Sequence, residues 1–458
     1  MSGELFHFSG VAGAGVSALA QFHVMGGGRA TGSDRTFDRG GAPDLRAKLE
    51  VLGVTIVPQD GAGPRGKPAA VVTSTAIEDD NADLATAREL GVEIVHRADM
   101  LARHVGSHRA IAVAGTSGKS TVAAMIYEIL AAAGKEPSVI TGGGLLALEK
   151  TGLIGNAWRG KSDLLVVEAD ESDGTVVKYQ PWLGVLLNID KDHQDIPDLV
   201  TMFRKFQRAS KAFIVQKGKR HLELFERDSE TFALGHGAVT VLGTHLLLGP
   251  ASSSFSVDEV PFHLPTPGRH NVENALAAVA ACRKAGVSLE AAADALSSFQ
   301  GVARRFQSLG EARGVSVVDD FAHNPVKVKA AIETAHLRAK RVLAVFQPHG
   351  YAPTRFNRRE FVEAFAAALA KKDVLWLPEI YYAGGTAKKT ISSEDLVIEL
   401  KAAGKDARYF ADRDEAAKDV VASARSGDCV LVMGARDMTL ADFARDILKT
   451  LGEVRETS

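Results

Sequence analysis

The chain has 458 residues, of which 46% are hydrophobic and 24% charged, and its formal net charge is −2. That length exceeds one compact core and fits two to four domains, while the balanced charge excludes the basic stripe of a nucleic-acid binder. Cys282 and Cys429 lie in apolar surroundings without ligand spacing, which reads as two buried thiols in a reducing compartment. Met1 to Phe8 lacks a basic segment leading into a long apolar one, and the longest apolar stretches are strand-length or broken by charge. A cytoplasmic protein without signal peptide or membrane span is therefore expected.

Strand-like and helical runs alternate almost throughout, which predicts an α/β fold of parallel sheets with helices on both faces. Leu5–Phe8, Gly28–Thr31, Val54–Val57 and Ala70–Thr73 read as strands of a first sheet, with helices at Ser17–Val24 and Ala82–Leu90. The pattern repeats weakly to about Ser107. After the first strand stands Gly10-Val11-Ala12-Gly13-Ala14-Gly15, and Asp34 follows near the end of the next. The spacing is G-x-x-G-x-G, where a dinucleotide fingerprint has G-x-G-x-x-G. Three readings stay open: a dinucleotide site with Asp34 on a ribose, a cradle for a nucleotide-sugar diphosphate, and a structural turn. A glycine turn opening a helix offers N–H groups to any diphosphate, which favours the second.

A second unit begins at Ala110. The apolar run Ala110–Ala114 leads into Gly115-Thr116-Ser117-Gly118-Lys119-Ser120-Thr121 and a predicted helix over Val122–Ala133. Such a turn aims N–H groups and a helix N-terminus at phosphate. Lys119 adds a point charge for the outer phosphates, and Ser120 a hydroxyl for Mg²⁺. Val113 stands where the usual pattern has its first glycine, so this is a compressed P-loop, and a nucleoside triphosphate is the expected ligand. The strand Leu164–Glu168 then delivers Glu168-Ala169-Asp170-Glu171-Ser172-Asp173-Gly174. Glu168, at the C-terminal end of a buried parallel strand, is the first choice for a Mg²⁺ ligand, directly or through water. Asp170, Glu171 and Asp173 read equally well as a solvated acidic turn.

The strand Val185–Asn188 is followed by Asp190, Asp192, His193 and Asp195. His193 fits a second metal ligand, a group near the transferring phosphate, or a packing histidine. Carboxylates this dense beside a triphosphate require a cation. A further strand is predicted at Ala212–Val215. Thr231–Leu234, Val239–Leu242, Leu246–Leu248 and Val260–Leu264 read as a small antiparallel addition. Gly268-Arg269-His270-Asn271-Val272-Glu273-Asn274 opens a helical stretch to Phe299, broken near Gly286. Asn271 and Asn274 share a face. One amide suits a purine edge, and an N-cap suits Asn271 as well.

A third α/β unit starts near Gly301, with strands at Ser316–Val318, Arg341–Val345, Val374–Leu377 and Cys429–Met433. Its loops carry Arg304-Arg305-Phe306, Asp319-Asp320-Phe321-Ala322-His323-Asn324-Pro325, His349-Gly350-Tyr351 with Arg355, and Gly434-Ala435-Arg436-Asp437. They follow C-terminal strand ends and are expected to converge on a small anionic substrate, with Arg305 meeting a phosphate and Asp320 a ribose.

Together these segments resemble the Mur ligase family, the ATP-dependent ligases of peptidoglycan synthesis, over nearly the whole chain. The resemblance implies a Rossmann-like domain over 1–107 for the UDP-sugar, a central P-loop domain over 108–299 for ATP, and a C-terminal ligase domain over 300–458. It implies that Gly13, Ala14 and Gly15 face the UDP diphosphate with Asp34 near the uridine. Gly115, Thr116, Gly118, Lys119, Ser120 and Thr121 would hold the ATP phosphates, and Ser120, Glu168 and His193 the Mg²⁺. Asn271 and Asn274 would touch adenine, Arg305 and Asp320 would reach ATP, and His323, His349, Tyr351 and Arg355 would lie near the amine substrate. Catalysis would rest on Lys119, Glu168, His193, Arg305 and His349.

Within the family the chain is most similar to the branch that joins L-alanine to UDP-N-acetylmuramate. It departs at Ser117, where that branch has a histidine, and at Gly350, where an arginine is common. Phe321-Ala322 and Val302-Ala303-Arg304 resemble instead the branch that attaches a cell-wall tripeptide. The amine stays open between these two at this point. Neither nucleic acid nor membrane is an expected partner.

Overall fold

A computed structural model describes residues 3–172, 174–190, 195–382, 388–437 and 439–453. Among these described residues there are three sheets, of five, ten and six strands. Tertiary contacts divide it into two compact units: Met1–Leu246 with Ser254–Leu264 and Val272–Val302, and Leu247–Ser253 with Pro265–Asn271 and Ala303–Ser458.

The first sheet, within the first unit, is wholly parallel in the order Val54–Ile56, Arg29–Ser33, Leu5–Ser9, Ala70–Thr73, Glu93–His96. Strand order reverses between Leu5–Ser9 and Ala70–Thr73, so a crevice opens beyond their C-terminal ends. The register sets Ser9 against Ser33 and Thr73 against His96. The residues that follow each strand, the glycine turn, Asp34, Ser74 and Arg97, therefore emerge along one edge. Helix Ala14–Met25 starts directly from the glycine turn, with Gly13 as an N-cap that makes no side-chain hydrogen bond.

The second sheet is centred on Arg109–Ala114, flanked by Leu164–Glu168 and Leu183–Leu186, both parallel to it. Ala110 to Ala114 are fully buried, as expected of a parallel strand covered on both faces. Register sets Glu168 against Val113 and Leu186 against Ala114, so the acidic strand end and Asn188 flank the turn after Ala114. One apolar cluster joins Phe8 and Val72 of the first sheet to Ala112 and Val167 of the second. Helix Ala14–Met25, packed on Ala157–Trp158, helps bridge them, and the two sheets form one unit.

The expected antiparallel addition is corrected in part. Ala212–Gln216 pairs parallel with Glu230–Leu234, and Glu230–Leu234 pairs parallel with Val241–Leu248. Gly235 and Gly237, at φ 104° and 132°, let six residues double back beside the strand they leave, a conformation side-chain-bearing residues rarely adopt.

The third sheet, in the second unit, runs Gln307–Ala312, Val315–Asp320, Asp428–Gly434, Arg341–Gln347, Val374–Pro378, Asp406–Phe410. Only the first pair is antiparallel. The return of Asp428–Gly434 between Val315–Asp320 and Arg341–Gln347 makes a second reversal point, with Asp320, Gly434 and Gln347 at its rim. Among the described residues no helix is long and apolar enough to cross a membrane.

Candidate active site

The turn after Ala114 has the form of an anion cradle. Gly115 and Gly118 sit at φ 137° and 86°, and a Cβ on Gly118 would come within 2.6 Å of Asn274 Oδ1. Only glycine meets both demands there. Gly118 caps helix Lys119–Ala132 without a side-chain bond, so the helix starts three residues earlier than its apolar pattern suggests and holds Lys119 and Ser120 in its first turn. Asn188 braces the loop: its Oδ1 accepts from Ser117 N and Thr116 Oγ1 at 2.9 Å each, and its Nδ2 donates to Ser117 O at 3.1 Å.

Lys119 Nζ donates to Gly115 O at 2.8 Å and to Glu171 Oε2 at 2.7 Å, with Asp170 Oδ1 at 3.6 Å. Burial opposes its charge, but Glu171, Asp170 and Glu168 outweigh burial and raise its pKa above the ordinary value. Asp170 is held below its ordinary value, its burial outweighed chiefly by Lys119. Ser120 Oγ and Gly142 N both donate to Glu168 Oε2 at 2.9 Å.

A hydroxyl and a carboxylate side by side at the helix N-terminus form a hard-oxygen donor set that suits Mg²⁺, an ion that keeps several waters and takes one or two carboxylates. Among the described residues no group of three or more His, Cys, Asp or Glu is arranged to hold a metal. Expected ligand His193, with Asp192 and Asp173, lies outside the described residues.

Within the same unit, a cavity of about 290 Å³ reaches from the glycine turn of the first sheet to the acidic strand end of the second. Gly13, Ala14, Gly15, Ser74, Arg97, Thr141, Gly142, Glu168 and Asp170 are among its walls. Arg97 begins helix Arg97–Ser107, and a Cβ on Gly15 would lie 3.2 Å from its Nη1. A guanidinium beside a glycine turn is the fork geometry that matches phosphate oxygens. Asp34, expected near a uridine, spends both oxygens on main chain: Oδ2 accepts from Ala12 N at 3.0 Å and Oδ1 from Thr36 N at 2.8 Å. It ties the glycine turn to the end of the neighbouring strand.

In the second unit, Arg305 lies between two non-glycine residues in the left-handed region, Arg304 at φ 59° and Phe306 at φ 48°. Such a conformation is costly for an aromatic residue. It is held by Asp320, whose Oδ2 accepts from Phe306 N at 2.6 Å and whose Oδ1 accepts from Ala322 N at 2.7 Å. Burial pushes the Asp320 carboxyl up to about 6, against the opposing charge of Arg305. Arg304 is bound in turn to Asp319 and to the Gly434 carbonyl. The Arg305 guanidinium lies 4.8 Å from the Phe321 ring centre, and the His323 and His349 rings are 5.6 Å apart. Burial, reinforced by Lys327, keeps His323 well below its ordinary value.

Tyr351 packs on Tyr382 at 5.5 Å, and Arg355 donates to Thr390 Oγ1 at 2.5 Å. The structure therefore gathers Arg305, His323 and His349 and sets Tyr351 and Arg355 in separate contacts. Asn271 donates its amide to Pro267 O at 2.7 Å, a helix-entry role, while Asn274 lies against the phosphate loop. Sequence reasoning misses Arg97, Ser74, Asn188 and the Thr141-Gly142 loop. Their only signal is position just beyond, or soon after, a strand's C-terminal end.

Three family profiles match the chain in order: Mur ligase family, catalytic domain, over residues 5–109; Mur ligase middle domain over 113–282; and Mur ligase, glutamate ligase domain, over 304–436. A UDP-N-acetylmuramate–L-alanine ligase of Pelotomaculum thermopropionicum is 35% identical, covering 98% of this chain and 97% of that protein. The crystal structure of a UDP-N-acetylmuramate–alanine ligase from Thermotoga maritima aligns with a TM-score of 0.80 at 26% identity, over 99% of this chain and 100% of that one. A murein peptide ligase from Psychrobacter arcticus shares the fold, with a TM-score of 0.71 at 23% identity over 99% and 100% of the two chains.

Proposed function

The chain belongs to the Mur ligase family, and from that premise we propose that it joins L-alanine to the carboxylate of UDP-N-acetylmuramate, driven by ATP. It has the three-domain architecture of that family and the family's ATP-dependent carboxylate–amine ligase activity. Our domain assignment is 1–107 for the UDP-sugar, 108–299 for ATP and 300–458 for the amine. The cytoplasm, where ATP and a nucleotide sugar are both supplied, is its proposed location.

The observation that carries the reading is one cavity shared by the Gly13–Gly15 turn and the Glu168 strand end, with Ser120 bonded to Glu168 and Lys119 paired with Glu171 three residues on. It supports placing a nucleotide-sugar diphosphate and a triphosphate within reach of one another. In the proposed reaction a carboxylate oxygen of the sugar attacks the γ-phosphorus, the bond to ADP breaks, and an acyl phosphate forms. The amine then attacks the acyl carbon, and the tetrahedral intermediate expels phosphate and loses a proton to leave the amide.

In this assignment Gly115, Thr116, Gly118 and Thr121 direct N–H groups at the phosphates, and Lys119 offsets the charge that builds on the transferred group. Ser120 and Glu168 would hold Mg²⁺, which when bound neutralises phosphate charge; His193 joins them in the proposal. Gly13, Ala14, Gly15 and Arg97 hold the diphosphate, with Asp34 supporting their turn. Asn274 meets adenine, with Asn271 shaping the start of its helix. Arg305 serves the nucleotide, with Asp320 supporting its turn, and His323, His349, Tyr351 and Arg355 serve the amine. Catalysis here is placement and charge neutralisation, without a covalent enzyme adduct.

A second reading, transfer of a tripeptide to the same sugar, draws on Phe321-Ala322 and Gly350 in the amine-facing loops. Purified protein supplied with Mg·ATP, UDP-N-acetylmuramate and each amine separately decides between them. L-Alanine-dependent phosphate release with a product of matching mass is expected; tripeptide use without alanine use would contradict the assignment.

A further inference from the structure

Glu171 has no part in the mechanism above. It is 3% exposed, three residues beyond the strand end that delivers Glu168. Its Oε2 takes a hydrogen bond from Lys119 Nζ at 2.7 Å, while Gly115 O takes another at 2.8 Å. An ammonium has three N–H donors. Two of them are thus directed to a carbonyl of the phosphate loop and to a buried carboxylate from a neighbouring strand end. Lysine carries a compact charge on a flexible four-carbon stem, and a neutral carbonyl alone holds it weakly. Both bonds have an ionised donor and are charge-assisted, but only the carboxylate adds the attraction of an opposite full charge at close range. The carboxylate is therefore the stronger of the two restraints that fold the stem over the loop. Asp170, at 3.6 Å, lies beyond hydrogen-bond distance and adds only charge.

We infer that Glu171 is a positioning residue: it holds the Lys119 ammonium over the phosphate loop, so that the cation meets the outer phosphates already in place. This rests on the nucleotide reading of the loop given above. The role depends on where the carboxylate sits as well as on its charge, because Glu171→Asp would retract it by one methylene.

The test uses full-length wild type, Glu171→Gln, Glu171→Asp, Lys119→Met and the Glu171→Gln/Lys119→Met double variant. Thermal melting, Mg·ATP affinity by titration, and kcat and KM for each substrate are measured. Glu171→Gln is expected to lower kcat by about 10- to 100-fold, as misplaced catalytic groups do, and to leave KM for the UDP-sugar unchanged. Glu171→Asp should fall between it and wild type. Glu171→Gln should weaken Mg·ATP binding when Lys119 is present and change nothing in the Lys119→Met background, the signature of two groups acting as one. A general structural role would instead lower melting and disturb every KM in both backgrounds. Wild-type kcat in both Glu171→Gln and Glu171→Asp, or additive losses in the double variant, would overturn the inference. If Glu171→Gln fails to fold, Glu171→Asp carries the comparison, and wild-type kcat in it is the overturning result. A wild type that binds no Mg·ATP would fail the nucleotide reading itself, whereas normal binding with indifferent Glu171 variants would remove only this role.

Discussion

The phosphate loop of the first unit and the loop cluster of the second are built on different principles. Around Lys119 and Ser120, groups from three adjacent strand ends lock together through hydrogen bonds of 2.7 to 2.9 Å: Asn188 to the loop, Glu168 to Ser120, Glu171 to Lys119. Around Arg305 short bonds from Asp320, at 2.6 and 2.7 Å, hold only the main chain of a turn with two bulky residues in left-handed conformations, while its side chains meet as a cation over a ring at 4.8 Å and an edge-to-face ring pair at 5.6 Å. A site that binds a triphosphate through main-chain N–H groups tolerates little displacement, and its residues are fixed by a few short bonds. A site assembled from ring faces is broader in its geometry and accepts side-chain exchange. Of the departures from the alanine-adding pattern, Phe321, Ala322 and Gly350 fall in the second region, and Ser117 alone falls in the phosphate loop.

That contrast breaks most directly at Lys119. Lys119→Met should reduce kcat by about 100- to 1,000-fold, the range seen when a preorganised charge-stabilising donor is removed; turnover near wild type would remove the first region from the chemistry. Next in size is Arg97→Ala. It should raise KM for UDP-N-acetylmuramate by about 10- to 100-fold with KM for ATP unchanged, the cost of losing a charge-assisted phosphate contact. Equal shifts in both constants would place Arg97 elsewhere in the cycle. His349→Ala should raise KM for the amine by about 10-fold and leave Mg·ATP affinity alone, since it belongs to the looser region. Loss of nucleotide affinity in that variant would erase the division between the two.

The smallest expected effect touches stability alone. Glu128, on the phosphate-loop helix, has its pKa raised by burial from 4.5 to about 7, against the Gln300 N–H and Lys150. Its Oε1 has no hydrogen-bond partner among the described residues. A carboxyl whose folded value lies above its unfolded one contributes stability below pH 4.5 that is lost as pH rises through 7. Glu128→Gln removes this liability, so its melting advantage over wild type should grow between pH 5 and pH 8 by about 1–3 kcal/mol. A pH-independent difference would show that Glu128 does not titrate in that range.

Local patterns carry much of this molecule. Strand Leu164–Glu168 and helix Ala82–Leu90 fall on the residues their patterns indicate, and the phosphate loop is legible because its glycines, lysine and hydroxyls are consecutive. Arg97, Ser74 and Thr141-Gly142 are not, because they come from separate strand ends that register alone brings together. Asp34 and Asp320 both look like ribose ligands in the sequence, yet each gives its two oxygens to main-chain N–H groups. A carboxylate at a strand end serves a turn as readily as a ligand, and spacing cannot separate the two. Likewise the turn-rich stretch after Glu230 suggests antiparallel pairing, where Gly235 and Gly237 allow a parallel return.

The central claim is that the sugar carboxylate is phosphorylated before the amine attacks. Turnover of UDP-N-acetylmuramate carrying ¹⁸O in both carboxylate oxygens tests it, with mass analysis of the phosphate released. The account predicts one labelled oxygen in each phosphate, carried over by the bridging atom of the acyl phosphate; phosphate free of label at full amide yield would contradict it.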